Sequence, residues 1–136
     1  RTPQDGPRPE HTFDPRAAAR RSAPRIGSSE AEALFSRAEQ AYNSLPAVIP
    51  VLCHNDLVYQ NVLESETLTL IDWEYAGAGD AVFDLAIVVE HHGLPEHLEQ
   101  NFLDAYLGRP ANSSEQAHLA QQKAFYAALL KLWQLL

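Results

Sequence analysis

Two short apolar runs, Asn61-Val62-Leu63 and Leu68-Thr69-Leu70-Ile71, flank the polar stretch Glu64-Ser65-Glu66-Thr67. Two β-prone segments separated by a few turn-forming residues read as an antiparallel hairpin. This constrains the chain more than any other feature, because a hairpin opening at Asn61 and closing at Ile71 returns Asp72 beside Asn61. Two oxygen-bearing side chains eleven residues apart in sequence then converge without any long-range assumption.

Around the hairpin the pattern is helical. Ser28-Ser29-Glu30-Ala31-Glu32 has the form of a helix start, a serine cap with Glu32 three positions after Ser29. Ala33, Leu34, Ala38, Ala41 and Tyr42 follow at helical spacing, and Pro46 forbids continuation far beyond Leu45. Val48 to Leu52 is aliphatic and extended. Asp80 is placed to cap a helix running to about His92, with Gly93 as its stop. A further helix is expected from Pro95 to Leu107, ended by Gly108 and Pro110, and a last one from Ser113-Ser114-Glu115 to the chain end. In that last helix Leu119, Phe125, Leu129, Leu132, Trp133 and Leu136 form a core stripe. The expected fold class is mainly α with a small β-hairpin (α+β).

Charge divides the chain. Residues 1–25 carry six Arg, three acidic residues and five of the nine prolines, so they read as an irregular Pro/Arg-rich arm or linker. Arg16, Arg20, Arg21 and Arg25 offer an anion-binding arm as the minority reading. Residues 26–136 carry four basic against fifteen acidic residues and form the folded body. A net charge of −8 lacks the basic stripe of a nucleic-acid binder. No apolar run approaches the roughly 18 residues of a membrane span, so no membrane partner is expected. Cys53, the one cysteine, has no disulfide partner and fits a cytoplasmic setting. The chain has no methionine and opens at Arg1, from which it is expected to be part of a longer product.

The chemistry centres on the loop before the hairpin. His54-Asn55-Asp56-Leu57-Val58-Tyr59-Gln60-Asn61 has the form H-x-D-x-x-x-x-N, and Asp72 follows the second apolar run. Phosphoryl transfer from ATP uses these residue types in this relation. One carboxylate orients the attacking hydroxyl and accepts its proton. A neutral oxygen ligand, Asn61, and a second carboxylate, Asp72, suit Mg²⁺ held against phosphates. His54 is not needed as a base; a buried imidazole there holds the loop backbone.

VLCHNDLVYQNVL followed by LTLIDWEYAGAGDAVFDLA resembles the aminoglycoside phosphotransferase and choline kinase superfamily, most closely its choline/ethanolamine-kinase-like and thiamine-kinase-like branches. The resemblance covers about Phe13 to Leu107 and implies the C-terminal lobe of a protein-kinase-like fold. It implies Asp56 as catalytic base, His54, Asn61 and Asp72 around the bound ATP, and Asn61 and Asp72 as the Mg²⁺ ligands. Asp84, in GDAVFDLA, matches the aspartate that braces the catalytic loop. Gln60 stands where many members have glycine, and Trp73-Glu74 where protein kinases have Phe-Gly.

The phosphate-covering loop and strand lysine of such enzymes have no counterpart here: no G-x-G-x-x-G occurs, and the only lysines are Lys123 and Lys131. The expected activity is therefore that of an ATP- and Mg²⁺-dependent phosphotransferase acting on an alcohol group of a small cationic metabolite, with the nucleotide lobe lacking and the chain alone inactive. The other reading is a non-catalytic kinase-like lobe that binds a metabolite or protein. The expected partners are the small-molecule substrate and either the missing lobe or a second copy through its docking face.

Trp73, Tyr75, Tyr126 and Trp133 could line an aromatic cage for a quaternary ammonium, although plain core packing is the commoner fate of such residues. Glu74 and Glu90 could attract a cation. His91, His92, His97 and Glu96 lack a strong metal-ligand spacing and read better as a helix end with exposed imidazoles. Cys53 reads as buried packing.

Overall fold

The computed structural model describes Asp14, Ala17 and residues 29–135. The Arg-rich arm, apart from Asp14 and Ala17, lies outside the described residues, as do Ser28 and Leu136. Helix α1 spans Ser29–Asn43, and Ala31, Leu34 and Ala38 form its buried stripe. Ala33, expected on that stripe, is exposed, and Ala31, three residues before Leu34, takes the inward position instead. Strand β1 (Val51–Cys53) leads into the loop at His54, and a 3₁₀ turn over Tyr59–Asn61 feeds β2 (Val62–Glu64).

The hairpin forms as its sequence requires. Strand β3 (Leu68–Leu70) pairs antiparallel with β2 in the register Val62↔Leu70, Leu63↔Thr69 and Glu64↔Leu68. The Ile71 N–H then donates to the Asn61 carbonyl at 3.0 Å, continuing the ladder up to Asp72. A second pairing has no counterpart among the expectations: β4 (Gly77–Gly79) runs antiparallel to β1, with Leu52 opposite Ala78. Gly-Ala-Gly has little strand propensity. Its strand exists because β1 presents a free edge to it.

Three more helices complete the body. Helix α2 (Ala81–His91) is capped by Asp80, whose carboxylate accepts from the Val82 N–H at 2.9 Å. Helix α3 (Glu96–Leu107) ends on Gly108 at φ 71°, a left-handed conformation that glycine adopts without strain. Helix α4 (Ser113–Gln134) starts at a capping box in which Asn112 and Glu115 exchange hydrogen bonds.

The core lies where α1 and α2 pack on α4. It joins Leu34 and Ala38 to Phe83, Ile87, Phe125, Leu129 and Leu132. Leu85, Ala86, Leu103 and Leu119 form a smaller cluster. The body is mainly helical with small antiparallel sheets, the fold class expected of the sequence. Among the described residues no helix is long and apolar enough to cross a membrane.

Candidate active site

The loop from His54 to Asn61 is held from three directions. From below, the Asp84 carboxylate on α2 accepts the backbone N–H of His54 and of Asn55, both at 2.8 Å. The hairpin end supplies a second tie, the His54 ring bonding the Ile71 carbonyl through Nε2 at 2.7 Å. The Asp56 N–H donates to the other ring nitrogen, Nδ1, at 3.1 Å. Since Nδ1 accepts, Nε2 carries the proton and donates, which fixes the neutral tautomer. His54 is 2% exposed and packs against Trp73, with ring centroids 4.6 Å apart. Its ring thus acts on the cleft through the backbone it ties together.

The third tie sequence reasoning missed. The His92 ring reaches the Leu57 carbonyl through Nε2 at 3.3 Å and stacks near Tyr59. His91 and His92 are half-buried, correcting the expectation of exposed imidazoles, while His97 is exposed. The cause is the approach of the α2 C-terminus to the loop, which no local pattern announces. Among the described residues no group of three His, Cys, Asp or Glu side chains is gathered as a metal site.

Asp56 and Asn61 meet directly. The Asn61 amide nitrogen donates to the Asp56 carbonyl at 2.8 Å and to its carboxylate at 3.1 Å. That commitment turns the amide oxygen of Asn61 into the atom left over for a cation, and oxygen is the donor that a hard divalent ion requires. Burial pushes the Asp56 carboxyl above the ordinary carboxylate value, and the nearby Asp72 charge adds to this, while the Asn61 hydrogen bond opposes it. Asp72, one residue beyond the hairpin's last bond to Asn61, is exposed and has φ 61°. Asn55 has φ 69°. Asn and Asp are the non-glycine residues most at home there, so both side chains are aimed by unusual backbone. The donor set, one amide oxygen and one exposed carboxylate beside a second carboxyl, fits Mg²⁺.

Of the four aromatic residues considered for a cage, Trp73 covers His54 and donates from its indole to the Leu70 carbonyl at 3.1 Å. The Tyr75 carbonyl accepts from the Asn55 side chain at 2.9 Å. Tyr126 is buried and packs edge-on to Trp133, with centroids 6.4 Å apart. Burial pushes the Tyr126 hydroxyl up, and the neighbouring Asp56 and Glu90 charges push the same way. The four therefore serve two places, the loop and the core. Cys53 is 1% exposed, and burial raises its thiol to about 12, as packing rather than reactivity requires.

A loop carboxylate is thus bonded to a loop asparagine, an aspartate on a helix braces that loop, and a further aspartate follows the hairpin. Residues 1–120 match the model of the Phosphotransferase enzyme family, and the chain belongs to that family. It is 40% identical over 81 residues to the LicA homolog of Metamycoplasma hominis, covering 59% of this chain and 31% of that protein. To Protein LicA of Haemophilus influenzae it is 42% identical over 55 residues, 40% of this chain and 21% of that one. Its fold is similar to the choline kinase LicA from Streptococcus pneumoniae, with a TM-score of 0.77 and 24% identity over 97% of this chain and 50% of the other. A choline/ethanolamine kinase family protein from Mesorhizobium loti gives 0.76 and 21%, over 92% of this chain and 46% of the other. The chain thus spans under a third of these curated relatives and about half of these structural neighbours.

Proposed function

We propose that this chain is the catalytic lobe of an ATP- and Mg²⁺-dependent phosphotransferase whose acceptor is an alcohol group on a small, cationic metabolite such as choline, ethanolamine, thiamine or an aminoglycoside. The observation that carries the proposal is the Asp56–Asn61 hydrogen bond inside a loop braced by Asp84 and closed onto the hairpin that ends at Asp72. In this reading Asp56 accepts the proton of the attacking hydroxyl as its oxygen bonds to phosphorus, and the bond from phosphorus to the nucleoside diphosphate breaks. Asn61 and Asp72 hold the metal, which when bound neutralises charge on the transferring phosphoryl group. The raised Asp56 carboxyl is suited to taking up a proton. Support for a cationic substrate comes from the acidic body and from Glu90, which lies near enough to Tyr126, as does Asp56, to raise its hydroxyl.

Leu63, Leu68, Leu70 and Ile71 on the hairpin are exposed, an apolar surface suited to docking against a nucleotide-binding lobe. When the chain is alone, the same surface favours self-association, and a strictly monomeric sedimentation profile would count against it. In an enzyme that joins this lobe to a nucleotide lobe, Asp56→Asn should lower turnover by about 10²–10⁴ with nucleotide affinity unchanged. The 136 residues alone should phosphorylate none of the four acceptors, because positioning of the triphosphate supplies most of the catalysis. Full turnover in Asp56→Asn would overturn the role assigned to Asp56.

A further inference from the structure

A cavity of about 490 Å³ lies behind the loop, lined by residues of α1, the segment after it, β4, α2 and α4. Its walls are mostly apolar, with Tyr42, Phe83 and Phe125 contributing rings and Pro46, Val48 and Ala78 aliphatic surface. Asn55 lines it too, although the Asp56 side chain does not.

Its polar lining residues are Asp14, Tyr42, Asn55, Asp80 and Gln122. Gln122 is 3% exposed, and its amide nitrogen donates to the Asp80 carboxylate at 2.8 Å. That bond fixes which way the amide faces, and the oxygen on its other side is buried with no hydrogen-bond partner among the described residues. Asn55 is similarly fixed, its amide nitrogen given to the Tyr75 carbonyl at 2.9 Å. Asp80 accepts from His118 at 2.6 Å as well as from Gln122. Of the two carboxylates on the described lining, Asp80 is thus already bonded to side chains, and Asp14 has a partner of its own. Buried acceptors without donors are costly, and a native structure satisfies nearly all of them.

We infer that this cavity is a binding site, separate from the candidate catalytic cleft, for a small amine with an apolar body, whose N–H groups bond the Gln122 amide oxygen while its hydrocarbon part lies against Tyr42, Phe83 and Phe125. A buried acceptor beside aromatic faces favours a protonated amine over an anion. The requirement for an N–H donor separates this site from one built for a quaternary ammonium, which has none to give.

The test titrates the chain with 2-phenylethylamine and, separately, with its N,N,N-trimethyl counterpart, following amide resonances by NMR. The amine should bind saturably and on the order of tenfold more tightly than the trimethyl compound, the usual consequence of leaving a buried acceptor unmade. Gln122→Leu should reduce amine binding to the level of the trimethyl compound. Val48→Trp at the rim should block both while leaving the Asp80–Gln122 bond in place, and it decides the matter where Gln122→Leu fails to fold. No saturable binding of the amine, equal binding of the two compounds, or full binding by Val48→Trp would overturn the site, leaving water as the occupant of the cavity.

Discussion

Removing the Asp84 carboxylate is the sharpest test of how the loop is held. Asp84→Ala leaves the His54 and Asn55 N–H groups, each bonded at 2.8 Å, without an acceptor. A hydrogen bond to a charged group contributes about 1.5–3 kcal/mol, so the gross loss is roughly 3–6 kcal/mol. Part of this is offset, because burial already pushes the Asp84 carboxyl above its ordinary value, opposed by the Asn55 and His54 N–H bonds. Water entering the truncated site recovers a little more, and a net loss of about 2–4 kcal/mol remains. For a chain of this length that lowers the melting temperature by roughly 10 °C. The pH dependence has a definite sign. A folded-state value above the unfolded one means a contribution fully present below the unfolded value and lost as pH rises through the folded value. The gap between wild type and Asp84→Ala should therefore narrow as pH rises from acid towards neutral. Thermal and urea unfolding followed by circular dichroism at several pH values measure both effects. An Asp84→Ala protein melting within about 2 °C of wild type, or a gap that widens with pH, would refute the reasoning.

In an enzyme containing this lobe, Asp72→Asn should weaken metal binding, so its lost turnover should be partly restored by raising Mg²⁺ or supplying Mn²⁺; rescue of Asp56→Asn instead would reverse the two roles. At Asp80 burial raises the carboxyl, but hydrogen bonds from His118, Gln122 and the Val82 N–H outweigh it and hold the group below its ordinary value. Its contribution is present above the unfolded value and lost as pH falls through the folded one, so wild type should lose stability relative to Asp80→Asn between roughly pH 5 and 2 in acid titrations. Gly108→Ala, at φ 71° with open space around it, should cost about 1 kcal/mol from backbone strain alone, read as a shift in the urea midpoint.

What the sequence determined by itself was everything whose partner lies a few residues away. Asp80 caps α2 through a bond to Val82, and Gly108 stops α3 in a left-handed turn. The hairpin brings Asn61 and Asp72 together because its register is set by two short apolar runs and four residues between them. The H-x-D-x-x-x-x-N spacing carries the Asp56–Asn61 bond within a single loop. Tertiary structure decided what depends on surfaces meeting across tens of residues. The β1–β4 pairing uses Gly-Ala-Gly, which has no strand signal and is recruited by an open edge. His92 reads as a surface residue at a helix end until α2 brings it under Leu57, 35 positions away. Gln122 reads as a polar residue in a long helix, yet packing buries it and Asp80, 42 positions away, fixes its amide. Local hydrogen bonds and chain stiffness are written in spacing. Burial is a property of the neighbour, and the neighbour is chosen only when the helices pack.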